Sequence, residues 1–68
     1  MKVIDLKKLN AIINEQGRRR DWLAKKLDVS GAQVTYMLGG MRPFKQSHIA
    51  MLSTALGVPQ KQFIKNSF

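Results

Sequence analysis

Apolar residues recur along the chain at spacings of three and four, with polar residues between them, which is the period of amphipathic helices. In "IDLKKLNAIINEQG", Leu6, Leu9 and Ile13 share one face, with Ile12 beside them. Asp5 can cap the start of this helix and Gly17 can end it. "RRRDWLAKKLD" follows, with Leu23 and Leu27 four apart. A third segment starts at Ser30, a good N-cap, and turns Val34, Met37 and Leu38 inward. Gly39 and Gly40 supply a left-handed stop, and Pro43 breaks any continuation. "QSHIAMLSTALG" predicts a fourth helix, capped near Ser47, with Ile49, Leu52 and Leu56 inward and Gly57 at its end. His48, lacking metal partners, is assigned to its solvated or DNA-near face. "VPQKQFIKNSF" predicts a short fifth helix with Pro59 in its first turn and Phe63 and Ile64 in the core. No alternating pattern of useful length predicts a strand. The expected class is all-α: five short helices around one small core, in a single domain spanning residues 1–68.

Composition sharpens this picture. With 68 residues the chain is near the lower limit for a self-sufficient core, and without cysteine neither a disulfide nor a thiolate metal site can support it. No apolar run approaches the roughly 18 residues of a membrane span, and no signal-peptide h-region is present. Twelve Lys and Arg against four Asp and Glu give a formal net charge of +8, which favours a polyanionic partner. The charge is uneven: Asp5, Glu15, Asp21 and Asp28 are the only acids, so nothing acidic follows Val29. A duplex-facing surface must avoid carboxylates, because each repels phosphate.

The most informative stretch is "DVSGAQVTYMLGG", whose helical part carries no charge in a strongly basic chain. About three residues, Asp28-Val29-Ser30, separate the second helix from the third. So short a joint forces the two to cross steeply, as in a helix-turn-helix. Ala24 must then be small, Val29 plugs the turn, and Val34 and Met37 anchor the third helix on the second.

The pattern Leu23-Ala24, Leu27, Val29-Ser30, Val34, Met37, Gly40 and Leu56-Gly57-Val58 resembles the lambda-repressor-like helix-turn-helix family. The likeness spans roughly residues 4–66, with the helix-turn-helix at about 20–39. It implies a compact bundle of four or five helices and a Cro-like regulator of phage or prophage type. It further implies dimeric binding to operator DNA in the cytoplasm of a bacterial cell or phage-infected host. Three departures stand out. Asp28 replaces the usual turn glycine, Arg19 and Arg20 replace the usual N-cap and following Gln, and Trp22 occupies a normally polar position.

A recognition helix need not carry charge. It reads base edges with short polar and apolar contacts, while affinity comes from basic residues elsewhere. The resemblance turns Gly31, Ala32, Gln33 and Tyr36 to the groove, with Thr35 at its edge. Gln33 can pair with adenine; Ala32 and the Thr35 methyl can touch thymine methyls. Phosphate contacts are expected from Arg20, Arg19 and Arg18, from Arg42 and Lys45, and from Ser30 and Ser47 at helix starts. Each has a plainer alternative: Gln33 as a solvated side chain, Tyr36 as a packing residue, Thr35 as neutral, Ala32 as permissive.

An enzyme is not expected, since one histidine, no cysteine and no paired carboxylates give no catalytic constellation. No cofactor, metal, membrane or small-molecule ligand is expected either. The partners expected are double-stranded operator DNA and a second copy of the chain, with Trp22 and Phe68 as candidate dimer or partner contacts. An initiating Met1 and a last helix near the end suit a complete protein without a sensing domain. The competing reading is a small helix-turn-helix protein acting mainly through a protein partner, as repressor modulator, antitoxin-like module or inhibitor. Exposure of Trp22 and Phe68 would favour it.

Overall fold

The structure is a computed structural model that describes residues 2–66, and the side chains of residues 3–65. Four α-helices are framed by two short strands: β1 (Lys2–Ile4), α1 (Leu6–Gln16), α2 (Arg20–Leu27), α3 (Gly31–Leu38), α4 (Gln46–Leu56) and β2 (Ile64–Asn66). The expected fifth helix is a single 3-10 turn, Gln60–Gln62, entered through Pro59 at φ −65°. The reason is tertiary. Phe63 must reach the core, where it is fully buried, and the chain then straightens to pair with the N-terminus. The pairing is antiparallel, with Val3 opposite Lys65 and Ile4 opposite Ile64, and is extended by a 2.8 Å bond from the Asp5 N–H to the Phe63 carbonyl. All-α therefore becomes mostly helical with a two-stranded clasp.

The helix ends follow the local chemistry. Asp5 accepts from the N–H groups of Lys7 and Lys8 at the start of α1. Gly17 closes it at φ 67°, with the Arg18 N–H reaching back to Ile13 and that of Gly17 to Asn14. This is the doubly bonded left-handed C-cap that satisfies two otherwise orphaned carbonyls. Helix α4 starts two residues earlier than the hydroxyl suggested: Lys45 is its N-cap, Gln46 its first residue, and Ser47 an exposed first-turn residue, not the cap.

One core joins the helices. Leu9 and Ile13 of α1, Leu23, Ala24 and Leu27 of α2, Val34, Met37 and Leu38 of α3, and Ile49, Leu52 and Leu56 of α4 are all buried around Phe63. Two amides stitch the elements: the Asn10 side chain donates to the carbonyls of Leu6 (2.9 Å) and Leu38 (3.4 Å), and Gln16 donates to that of Leu56 (2.8 Å). The Asn10 bond holds the end of α3 against α1. His48 departs from the sequence expectation. It is 7% exposed, not solvated, and packs edge-on to Phe44 with ring centroids 6.3 Å apart. Among the described residues no helix is long and apolar enough to cross a membrane.

Candidate nucleic-acid interface

The joint between α2 and α3 is three residues, and each has a separate task. Asp28 takes the left-handed conformation at φ 58°, the only described non-glycine residue with positive φ. Its N–H bonds the Lys25 carbonyl and the Val29 N–H bonds that of Ala24, at 3.3 and 3.0 Å. Asp tolerates this backbone better than most residues. Val29 packs half-buried on the core, and Ser30 begins α3. The Ser30 Oγ accepts the Gln33 N–H at 3.1 Å, capping the helix. Ala24 is buried, as the close packing of α2 on α3 requires.

With Val34, Met37 and Leu38 committed to the core, α3 has one outward face. Gly31, Ala32, Thr35 and Tyr36 are exposed on it, and Gln33 is half-buried at its edge. Ala32 and Tyr36, four apart, stand one above the other on a helix, and Tyr36 is 51% exposed. The Thr35 hydroxyl donates to the Gly31 carbonyl at 3.2 Å, so its proton is committed to the helix backbone, leaving the methyl and the acceptor lone pairs of Oγ1. Eight residues make α3 about 12 Å long, comparable to the width of a DNA major groove. Its end is set by Gly40 at φ 83°, while Gly39 stays right-handed at φ −87°, so the left-handed stop falls on Gly40 alone.

Cations sit on either side of this neutral face in sequence. Before it, Arg18, Arg19 and Arg20 are all exposed at the start of α2. Arg19 is the N-cap residue and makes no side-chain cap bond, so the first N–H groups of α2 lack the partner that Ser30 gives α3. The Arg18 guanidinium lies 4.3 Å from the centre of the Trp22 ring and its Nε donates to Gln16 at 3.4 Å. The Lys26 ammonium stands 5.7 Å from the same ring. Trp22 is thus half-buried against the core beneath two cations.

After α3, Met41, Arg42 and Lys45 are exposed in the loop to α4. Met41 is 77% exposed, and nothing in the hydropathy pattern singled it out. Lys45 is the N-cap of α4, and its N–H donates to His48 Nδ1 at 3.3 Å. An ammonium cannot accept in return, so only half of a reciprocal cap forms. Burial, and to a lesser degree the Lys45 charge, hold the His48 pKa below the ordinary 6.5. The neutral imidazole is the form that can accept this bond. Position outweighs polarity at His48: it lies four residues before Leu52 and eight before Leu56, on the inward stripe.

Phe68 lies outside the described residues. Among the described residues no group of three or more His, Cys, Asp or Glu could hold a metal ion. What the arrangement can do chemically is bind: a neutral, shallow-relief helix face with hydroxyl, amide and methyl groups, and exposed guanidinium and ammonium groups in the segments on either side. No protein-family model, curated protein or solved structure matches the chain.

Proposed function

We propose that the chain is a sequence-specific, double-stranded DNA-binding regulator of Cro-like type. In this reading α2 and α3 form a helix-turn-helix in a lambda-repressor-like fold, and α3 enters the major groove of operator DNA bound by a dimer. One observation carries the reading: the outward face of α3 is uncharged, while exposed Arg19, Arg20, Arg42 and Lys45 occupy the segments before and after it. Short side chains suit base edges, and cations at helix starts suit phosphates. Gln33 and Tyr36 supply hydrogen-bonding groups; Ala32 and the Thr35 methyl supply apolar contact. Arg18, already over Trp22, contributes its charge more than a free hand.

The rival reading, action through a protein partner, leans on Phe68, which lies outside the described residues, exposed together with Trp22. The Trp22 side chain is half-buried, and the Arg18 guanidinium stands over its ring. A sequence-specific DNA reader is therefore the better supported class.

Selection of sites from a random duplex pool at about 150 mM salt tests the proposal. An inverted repeat with half-sites about 34 Å apart is expected. If six phosphates are neutralised per dimer, log K should fall against log salt with a slope of about −5. A pool that stays random after repeated rounds rejects the specific-regulator reading.

A further inference from the structure

A cleft lies between the N-terminal strand and the loop joining α3 to α4. Its volume is about 410 Å³, within the range of small-molecule sites, roughly 300–1,000 Å³. Ile4, Leu6 and Phe44 line it together with the buried Ile49. Ile4, Leu6 and Phe44 are only half-buried, and Ile4 and Phe44 pack on the core at one side while apolar surface remains wet at the other. Gly40 closes one side with bare backbone; a Cβ there would stand 3.4 Å from Leu6 Cδ1. One charged side chain lines the cleft: Arg42, exposed.

We propose that this cleft binds a small amphipathic carboxylate, its apolar chain between Leu6 and Phe44 and its carboxylate on Arg42. The lining selects the class. The apolar walls gain free energy by excluding water from a hydrocarbon group. A guanidinium matches a carboxylate with two parallel hydrogen bonds. A single cation balances one negative charge, which favours a monoanion over a phosphate monoester. The net charge of +8 enriches anions near the surface and disfavours cationic amphiphiles. The site stands independently of the DNA reading. If that reading holds, an occupant withdraws Arg42 from phosphate, and a chain expected to lack a ligand gains a means of control.

The test is a titration of uniformly ¹⁵N-labelled protein with decanoate below its micellar concentration, followed by amide shifts. Decylammonium and butyrate are the comparison probes. Saturable shifts at Ile4, Leu6, Gly40 and Ile49 are expected with decanoate. Binding should weaken at least tenfold for decylammonium, for butyrate and for Arg42→Ala. Arg42 is exposed, so its removal should leave the fold intact; a spectrum of unchanged dispersion checks this. Val3→Phe, at a lining strand position that accepts an aromatic, should fill the cleft and abolish the shifts. Decylammonium binding as tightly as decanoate overturns the proposal, as do shifts that never saturate or that fall mainly on other surfaces.

Discussion

Arg19→Ser should move stability and DNA affinity in opposite directions. Arg19 occupies the N-cap of α2 at φ −93°, ψ 155°, and Ser30 occupies that of α3 at φ −74°, ψ 157°. The two backbones are nearly alike, but only Ser30 caps, with Oγ 3.1 Å from the N–H three residues on. A serine at position 19 can therefore adopt the Ser30 geometry without strain and accept from the Trp22 N–H. Gaining a cap contributes about 1 kcal/mol. Removing a cation from the positive end of the helix dipole adds about 0.3–1 kcal/mol at an exposed site. The total of roughly 1–2 kcal/mol should raise the midpoint of thermal unfolding by about 4–8 °C per kcal/mol in a domain of this size. Ser30→Ala provides the reverse control, with a loss of about 1 kcal/mol. DNA affinity should fall in Arg19→Ser, with the salt slope shallower by about 0.9 for each phosphate contact removed. Thermal unfolding followed by circular dichroism reads the first effect and a salt series of DNA titrations the second. A variant no more stable than the parent, beside a Ser30→Ala that does lose stability, refutes the capping argument at α2.

Other consequences follow from the core and the turns. Phe63→Ala should cost about 3–5 kcal/mol, most of the margin of a domain this small; far-ultraviolet dichroism should show a largely unfolded chain, and a cooperative native-like transition would contradict the placement of Phe63 at the centre. The depressed pKa of His48 makes its contribution to stability fully present above pH 6.5 and lost as the pH falls below that and on through the lower folded value. Urea midpoints across this range should decline with acid, and a flat profile would show that His48 is free to protonate in the folded protein. Arg18→Ala should uncover Trp22, red-shifting its emission and increasing quenching by iodide at a cost of about 0.5–1 kcal/mol; unchanged emission would mean that the guanidinium does not cover the ring in solution.

Sequence pattern sufficed where one residue sets a local outcome. Asp5 and Ser30 cap, Gly17 and Gly57 turn left-handed, and Asp28 takes the left-handed position of the turn because its side chain tolerates it. The inward apolar residues of α1 to α4 were legible from their spacing, and the inward His48 was not. What failed depended on distant partners. Strands of three residues carry too few positions for an alternation to register, and β1 exists because β2, some sixty residues away, pairs with it. The fifth helix yielded to that pairing and to the burial of Phe63. Arg18 on Trp22 was legible in spacing alone, four residues apart, but its closeness depends on how Trp22 packs on the core. At the candidate site, the resemblance turned Gln33 and Tyr36 outward; Tyr36 is exposed and Gln33 is half-buried. The hydrogen bond of Thr35 to the helix backbone and the exposure of Met41 required the folded chain.

The central claim is that the outward face of α3 meets DNA bases. It is tested most directly by mapping amide and side-chain shifts of labelled protein on titration with its selected duplex. The account predicts the largest changes at Ala32, Gln33 and Tyr36, with smaller ones at Arg19, Arg20, Arg42 and Lys45. Gln33→Ala should alter the preferred base at one position, while Arg20→Ala weakens all sequences alike. Changes centred on Trp22, Lys26 and α4, with α3 unmoved, would contradict it.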